Sequence, residues 1–256
     1  MNEAPQSAVP SPASTTPPVT LSVAIPAYLE GEALGMILPS IKAAAAALTP
    51  DYEVLIVDTQ EPMDNTAEVC RQNGVRHIHR SGGNSYGDAI RTLVAEARGR
   101  YILCMDADGS HSPSYFAAMW AERERYDITI GSRYVQGGHT ENPLILIWMS
   151  YAVNLTFRLA FSIHAKDVTN SFRLYRREVI SSMRLESNDF DILEEILVKA
   201  VIRRPPARIG EIPVTFARRK AGESKRKLAQ FALGYLQTLK RLQSFARAAK
   251  QENKGQ

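Results

Sequence analysis

YILCMDADGSHSP, residues Tyr101 to Pro113, decides how the rest of the chain is read. Its opening run, Tyr101 to Met105, is wholly apolar and has the length of a buried strand. The run ends in Asp106-Ala107-Asp108, followed by Gly109, Ser110 and His111. Alternation along a strand sends side chains i and i+2 the same way, so both carboxylates leave on one side. With no basic residue beside them they repel, and a divalent cation relieves the repulsion. Hard oxygen ligands suit Mg²⁺ or Mn²⁺, which keep waters and also bind substrate phosphates. A solvated acidic turn carries the same triplet, so its weight comes from the surroundings.

Upstream, Leu21 to Pro26 and Tyr52 to Val57 read as two more strands, the second running into Asp58. Helical stretches separate them: about Glu32 to Leu48, with its alanine run, and Thr66 to Asn73, with Gly74 as C-cap. Val75 to Ile78 suits a short strand, and Gly87 to Ala97 a helix stopped by Gly99. Beyond the acidic triplet come a helix from about Pro113 to Arg125 and a strand from Ile128 to Ile130. Apolar strands alternating with helices imply a largely parallel sheet covered on both faces. In such sheets ligands gather at the carboxyl ends of the strands. Pro26-Ala27-Tyr28, Asp58 and Asp106 to Asp108 all stand at such ends. No GxGxxG or GxxxxGK[ST] string is present, so neither a dinucleotide fingerprint nor a P-loop is indicated.

The 256 residues are 45% hydrophobic and 23% charged, ordinary values for a globular protein. Residues 1 to 20 are rich in Pro, Ser, Thr and Ala and read as a disordered tail. They lack a basic region followed by an apolar one, so no cleaved leader is expected. Between Lys199 and Lys250 stand fourteen Lys or Arg against two acids, Glu211 and Glu223. That end favours phosphates or an acidic membrane surface. Nucleic acid is not an expected partner, because no aromatic platform interleaves the charge. Cys70 and Cys104 give no disulfide framework, and Cys104 reads as a buried thiol. Leu144 to Ile163 is the most apolar long stretch, yet Asn154 and Arg158 make it too polar to cross a membrane comfortably.

Five stretches in order, IPAYLE (Ile25–Glu30), IVDTQEPMDNT (Ile56–Thr66), MDADGSHSP (Met105–Pro113), GSRYVQGG (Gly131–Gly138) and DVTNSFRLYRREVI (Asp167–Ile180), resemble a family 2 glycosyltransferase. A sixth, EIPVTFARRKAGESK (Glu211–Lys225), closes the set. Within that family the likeness is to the dolichol-phosphate or polyprenyl-phosphate mannosyltransferases, over roughly residues 21 to 226. The resemblance implies a GT-A fold: an α/β, Rossmann-like, mostly parallel mixed sheet flanked by helices. A C-terminal amphipathic basic helix and tail over 227–256 would complete the chain.

Carried over by position, the family pattern gives nucleotide-sugar contacts to Pro26, Tyr28, Glu30, Val57 and Asp58. Asp106, Ala107 and Asp108 face the diphosphate. Asp106, Asp108 and Ser110 are the implied metal ligands, for Mg²⁺ or Mn²⁺. Arg133, Arg219 and Lys225 match positions that hold donor phosphates, and Asp106, Asp108 and Arg133 carry the implied catalytic roles. The implied acceptor is a polyprenyl phosphate. Its phosphate is already ionised, so inverting displacement needs no strong protein base. Two positions depart from the pattern. Thr59 stands where the family has a second acid that helps read the base or ribose. Tyr151 stands where an Arg is usual, leaving the acceptor phosphate to Tyr151, Arg133, Arg173 or His139. A UDP-sugar donor, another acceptor, or a non-catalytic binding role therefore stay open beside mannose from GDP-mannose. Pro143 to Ile163 is expected to lie on the membrane, with Trp148, Tyr151 and Phe157 at interfacial depth. Leu228, Phe231, Tyr235, Leu239 and Leu242 repeat at helical spacing, for packing or for lipid. Peripheral association with the cytoplasmic face of a membrane is the expected location.

Overall fold

The computed structural model describes residues 19–217 and 228–252. The elements run β1 (Leu21–Pro26), α1 (Gly31–Ala46), β2 (Tyr52–Asp58), α2 (Thr66–Asn73), β3 (Arg76–His79), α3 (Tyr86–Glu96) and β4 (Tyr101–Cys104). A 3₁₀ turn (Pro113–Tyr115) leads into α4 (Phe116–Ala121), then β5 (Ile128–Ser132), β6 (His139–Thr140) and α5 (Leu144–Phe161). The chain continues through β7 (Arg173–Arg176), α6 (Arg177–Ser181), α7 (Ile192–Ile202), β8 (Ile209–Pro213), β9 (Thr215–Phe216) and α8 (Leu228–Glu252). Every strand expected before residue 131 is present. The tail lies outside the described residues except Val19 and Thr20, and these two are already ordered. Their carbonyls accept from the Arg100 and Tyr101 backbone N–H groups at 3.1 and 3.0 Å.

The main sheet has seven strands in the order β3-β2-β1-β4-β7-β5-β8, and β6 pairs with β9 beside it. The apolar runs take this form because both faces are covered. Val23, Ile25, Ile56 and Leu103 point to one side, with Leu34, Leu38 and Ile41 of α1. Ala24, Leu55, Val57, Ile102 and Cys104 point to the other, with Leu93 of α3 and Ile196 and Leu197 of α7. Local signals agree with the global fold. Ser85 caps α3 reciprocally with Asp88, and Gly74 closes α2 at φ 61°. Both cysteines are free and buried, and burial pushes each thiol up to about 12.

One strand breaks the parallel pattern. β7 runs antiparallel to both β4 and β5, pairing Cys104 with Arg173 and Ile130 with Arg173 in the two ladders. Its entry, residues 167–172, therefore sits at the carboxyl ends of β4 and β5. This reversal carries the DVTNS segment to the edge already occupied by the acidic triplet.

α8 packs on the domain. Leu242 is fully buried, and Tyr235 and Leu239 lie against the same core. Thr238 bonds to Asp191, and Arg241 reaches Ser187 Oγ at 2.5 Å.

Beneath α8, Glu194 of α7 is wholly buried. The Tyr235 hydroxyl donates to its Oε1 at 3.4 Å, and its Oε2 has no partner among the described residues. Burial raises its pKa to about 8 from 4.5, against the opposing pull of Arg173. The folded state thus holds a proton that the unfolded chain gives up. That stabilisation is complete below about pH 4.5 and is lost as pH rises through 8. Glu194→Gln should match the native chain at pH 4.5 and exceed it at pH 9 by about 5 kcal/mol, read from urea unfolding at both pH values.

Candidate active site

The loop after β4 is pinned rather than free. The Asp106 backbone N–H donates to His111 Nδ1 at 3.0 Å. That nitrogen must then carry a lone pair, so Nε2 bears the hydrogen and donates to Asn170 Oδ1 at 3.1 Å. The Asn170 amide in turn donates to the Gly131 carbonyl. The His111 ring stacks on Phe172 with centroids 4.8 Å apart. Three of the quoted stretches thus meet through one buried imidazole. His111 is a structural pin, with neither nitrogen left for metal or phosphate.

Asp106 takes both its oxygens to Ser171 Oγ at 2.9 Å. Asp108 is 3% exposed and accepts from the Ser110 backbone N–H at 3.0 Å. Ser110 Oγ is fully buried without a partner among the described residues. Two carboxylates and an orphaned hydroxyl within five residues form an all-oxygen donor set, the kind that suits Mg²⁺ or Mn²⁺. Ala107 faces the core.

The neighbouring strand ends complete the edge. The Ala27 N–H donates to the Val57 carbonyl at 2.9 Å, locking the loop after β1 onto β2. Val57 has its side chain wholly in the core, leaving only its backbone at this edge. Tyr28 and Glu30 follow at the partly exposed entry to α1. Asp58 is buried, its Oδ1 accepting from the Thr59 backbone N–H at 2.7 Å. Thr59 is buried too and turns its hydroxyl to the Glu61 carbonyl at 2.7 Å. Arg219 and Lys225 lie outside the described residues.

Arg133 reaches the same edge but arrives paired. Its Nε and Nη2 grip buried Asp167 in a fork, each at 2.7 Å, and Nη2 also donates to Thr169 and Ser150. Burial alone would lower its pKa, but Asp167 outweighs that and holds it above the usual value. Asp106 also lies within its electrostatic reach. The guanidinium sits 5.0 Å from the Tyr134 ring, and Tyr134 packs against Tyr151 at 4.7 Å.

Arg173 requires a correction. It is fully buried and donates to the backbone carbonyls of Asn170, Val168 and Leu193 at 2.7, 2.7 and 2.8 Å. As the first residue of β7, its side chain ties the strand to α7, so it cannot meet an acceptor phosphate. Phe157 likewise turns inward against Phe161 and Tyr235 and stands at no interface. His139 is exposed on β6.

Two groups escaped sequence reasoning. Arg80 is buried and donates to the Ala27, Asn84 and Ser85 carbonyls, lying 5.9 Å from the Tyr28 ring. Its only signal was a lone cation after an edge strand. The Tyr86 hydroxyl is buried without a partner among the described residues. Burial first, then Asp106, raises its pKa well above the ordinary value.

Residues 22–184 match the family described as Glycosyl transferase family 2. The chain belongs to that family. Among its relatives, the dolichol-phosphate mannosyltransferase of Pyrococcus furiosus is 33% identical over 81% of this chain, which spans 59% of that longer protein. The undecaprenyl-phosphate mannosyltransferase of Micrococcus luteus is 31% identical over 78% of this chain and 85% of its own length. The dolichol-phosphate mannosyltransferase of Saccharomyces cerevisiae is 30% identical over 89% and 88%. The glucosyl-3-phosphoglycerate synthase of Mycobacterium tuberculosis, solved with Mn²⁺, UDP and phosphoglyceric acid, superposes with a TM-score of 0.68 at 16% identity, over 89% of this chain and 78% of that one. That likeness supports the GT-A sheet described above.

In this family 2 chain the pin at His111 should be costly to remove. His111→Leu leaves the Asp106 N–H and Asn170 Oδ1 without their partner. It should lose about 1–3 kcal/mol in urea unfolding.

Proposed function

We propose that this glycosyltransferase moves a hexose, mannose from GDP-mannose, onto the phosphate of a polyprenyl phosphate at a membrane surface. One observation carries the reading: the acidic edge and an exposed apolar helix face meet at Arg133. Ser150 of α5 accepts from Arg133 Nη2 at 3.2 Å, and the next residue, Tyr151, packs against Tyr134 with the rings tilted by 51°. From there a stripe of Leu144, Trp148, Tyr151, Leu155 and Leu159 runs along α5 at helical spacing, Trp148 71% and Leu159 75% exposed. The opposite face is docked: Asn154 is buried and accepts from the Val168 N–H at 2.8 Å, with Phe157 beside it. At 18 residues α5 is long and apolar enough to cross a bilayer. Its docked face instead favours lying along the surface with the stripe in lipid. A polyprenyl chain on that stripe would deliver its phosphate to the Arg133 end. The names of the relatives support this choice of acceptor.

Asp106, Asp108 and Ser110 would hold Mg²⁺ or Mn²⁺, which when bound neutralises charge on the departing diphosphate. The protein's own groups then position. Ser171 and His111 fix Asp106. The strand ends at Pro26, Tyr28, Glu30 and Asp58 receive the nucleoside. Arg133 marks where donor and acceptor phosphates approach each other. An ionised acceptor oxygen attacks the anomeric carbon, the bond to the diphosphate breaks on the far side, and the configuration inverts. No base is required, which agrees with the full engagement of His111. The nucleotide sugar comes from the cytoplasmic side, so that face of the membrane is the proposed location.

Protein, Mg²⁺ or Mn²⁺, a panel of GDP- and UDP-sugars and a short polyprenyl phosphate test the reading. A lipid-linked mannose from GDP-mannose is expected. Reaction with UDP-sugars alone would replace the donor, and no transfer from any donor would overturn the assignment. Asp108→Ala should cut turnover at least 100-fold while the melting temperature stays within a few degrees. A Leu155→Glu, Leu159→Glu double variant should lose flotation with anionic vesicles while keeping its circular dichroism spectrum.

A further inference from the structure

The far edge of the sheet carries a second group of metal-binding side chains. β3 is the edge strand and pairs with β2 alone. Its sequence, Arg76-His77-Ile78-His79, places two imidazoles two residues apart on one face. Ile78 turns the other way and packs against the core. The β2–β3 register sets Asp58 opposite His79, so the carboxylate at the end of β2 joins the same face. His77 Nε2 lies 3.1 Å from Asp58 Oδ2, and the two imidazoles meet edge to face at 4.8 Å. One ligand atom from each of the three residues falls within 4.8 Å of the other two.

We propose that Asp58, His77 and His79 form a binding site for a borderline transition cation of the Zn²⁺ class, separate from the Asp106–Asp108 pair. Tetrahedral zinc bonds N and O at roughly 2.0–2.2 Å, which holds neighbouring ligand atoms about 3.3 Å apart. The His77–Asp58 pair already stands near that separation. A cation would enter between them in place of the Nε2 hydrogen, which leaves to solvent as a proton. His79 is exposed, and its Nδ1–H donates to the Thr59 carbonyl at 2.7 Å, which leaves Nε2 with the lone pair for the third bond to the cation. Water completes the shell from the open side. Two imidazoles and one carboxylate favour Zn²⁺, Co²⁺ or Ni²⁺ over Mg²⁺, whereas the all-oxygen set after β4 has the reverse preference. The two sites should therefore differ in the cation they take; this one forms without a sugar donor and shares Asp58 with the proposed nucleoside end.

Full-length protein in excess Mg²⁺, titrated with Co²⁺ and followed by visible absorption, tests the proposal. One equivalent should give ligand-field bands, which Zn²⁺ then displaces. Affinity should fall at least 10-fold in His79→Ala and in His77→Gln, and be retained in Asp108→Asn. Zn²⁺ should raise the melting temperature of the native chain by a few degrees and leave His79→Ala unmoved. Absence of bands in the native chain, unchanged binding in His79→Ala, or loss of binding in Asp108→Asn would each overturn it. His79 is a surface residue whose removal spares the core, so the variant should remain folded.

Discussion

Negative charge crowded at the end of a buried strand is the constraint on which this structure turns. Asp106 and Asp108 follow a strand whose every residue is buried, and no cation stands between them in sequence. Their loop could relax by swinging into solvent, but the surroundings prevent it. His111 holds the backbone at Asp106, Ser171 holds its carboxylate, and the Ser110 N–H holds Asp108. A loop pinned at three points keeps both acidic residues at the end of β4 instead of in open solvent. This is preorganisation in the electrostatic sense: the groups are set before the ligand comes.

The antiparallel strand β7 makes that pinning possible. In a wholly parallel sheet, the segment before β7 would stand at the opposite edge. Because β7 runs backwards between β4 and β5, Asp167 to Ser171 arrive beside the acidic pair. They bring Ser171 for Asp106, Asn170 for His111 and Asp167 for Arg133. The cost is a buried cation at the start of β7. Arg173 offsets it by donating to three backbone carbonyls, the arrangement a buried charge needs.

The donor half of the fold was legible in the chain because it obeys simple periodicities. β1, β2 and β4 are apolar runs broken only by Ser22 and Glu53, so their positions and carboxyl ends could be read from hydropathy. The later half was not. β7 reads Arg-Leu-Tyr-Arg, four residues with charge at both ends, and its first Arg is buried. Nothing in hydropathy separates that from an exposed loop. Arg173 was misplaced for the same reason, since an arginine in a polar motif resembles a ligand until its three carbonyl partners are seen. The role of His111, next to two acids, is set only by the structure, where the Asp106 N–H and Asn170 take up both its nitrogens. In α5, composition announced an apolar helix but could not say which face docks. The burial of Asn154 and Phe157 decides that.

The same docking explains why an 18-residue apolar helix need not span a bilayer. A crossing helix must bury its whole circumference in lipid or protein. α5 already commits Asn154 to the backbone of Val168 and Phe157 to the core, so lifting it out would strand a buried amide and open a cavity. Lying flat keeps both contacts and leaves only the Leu144–Leu159 stripe to be covered. The stripe leads to Ser150 and Tyr151, and these touch the Arg133 cluster beside the acidic edge. The exposed stripe and the acidic edge thus meet at one cluster, around Arg133.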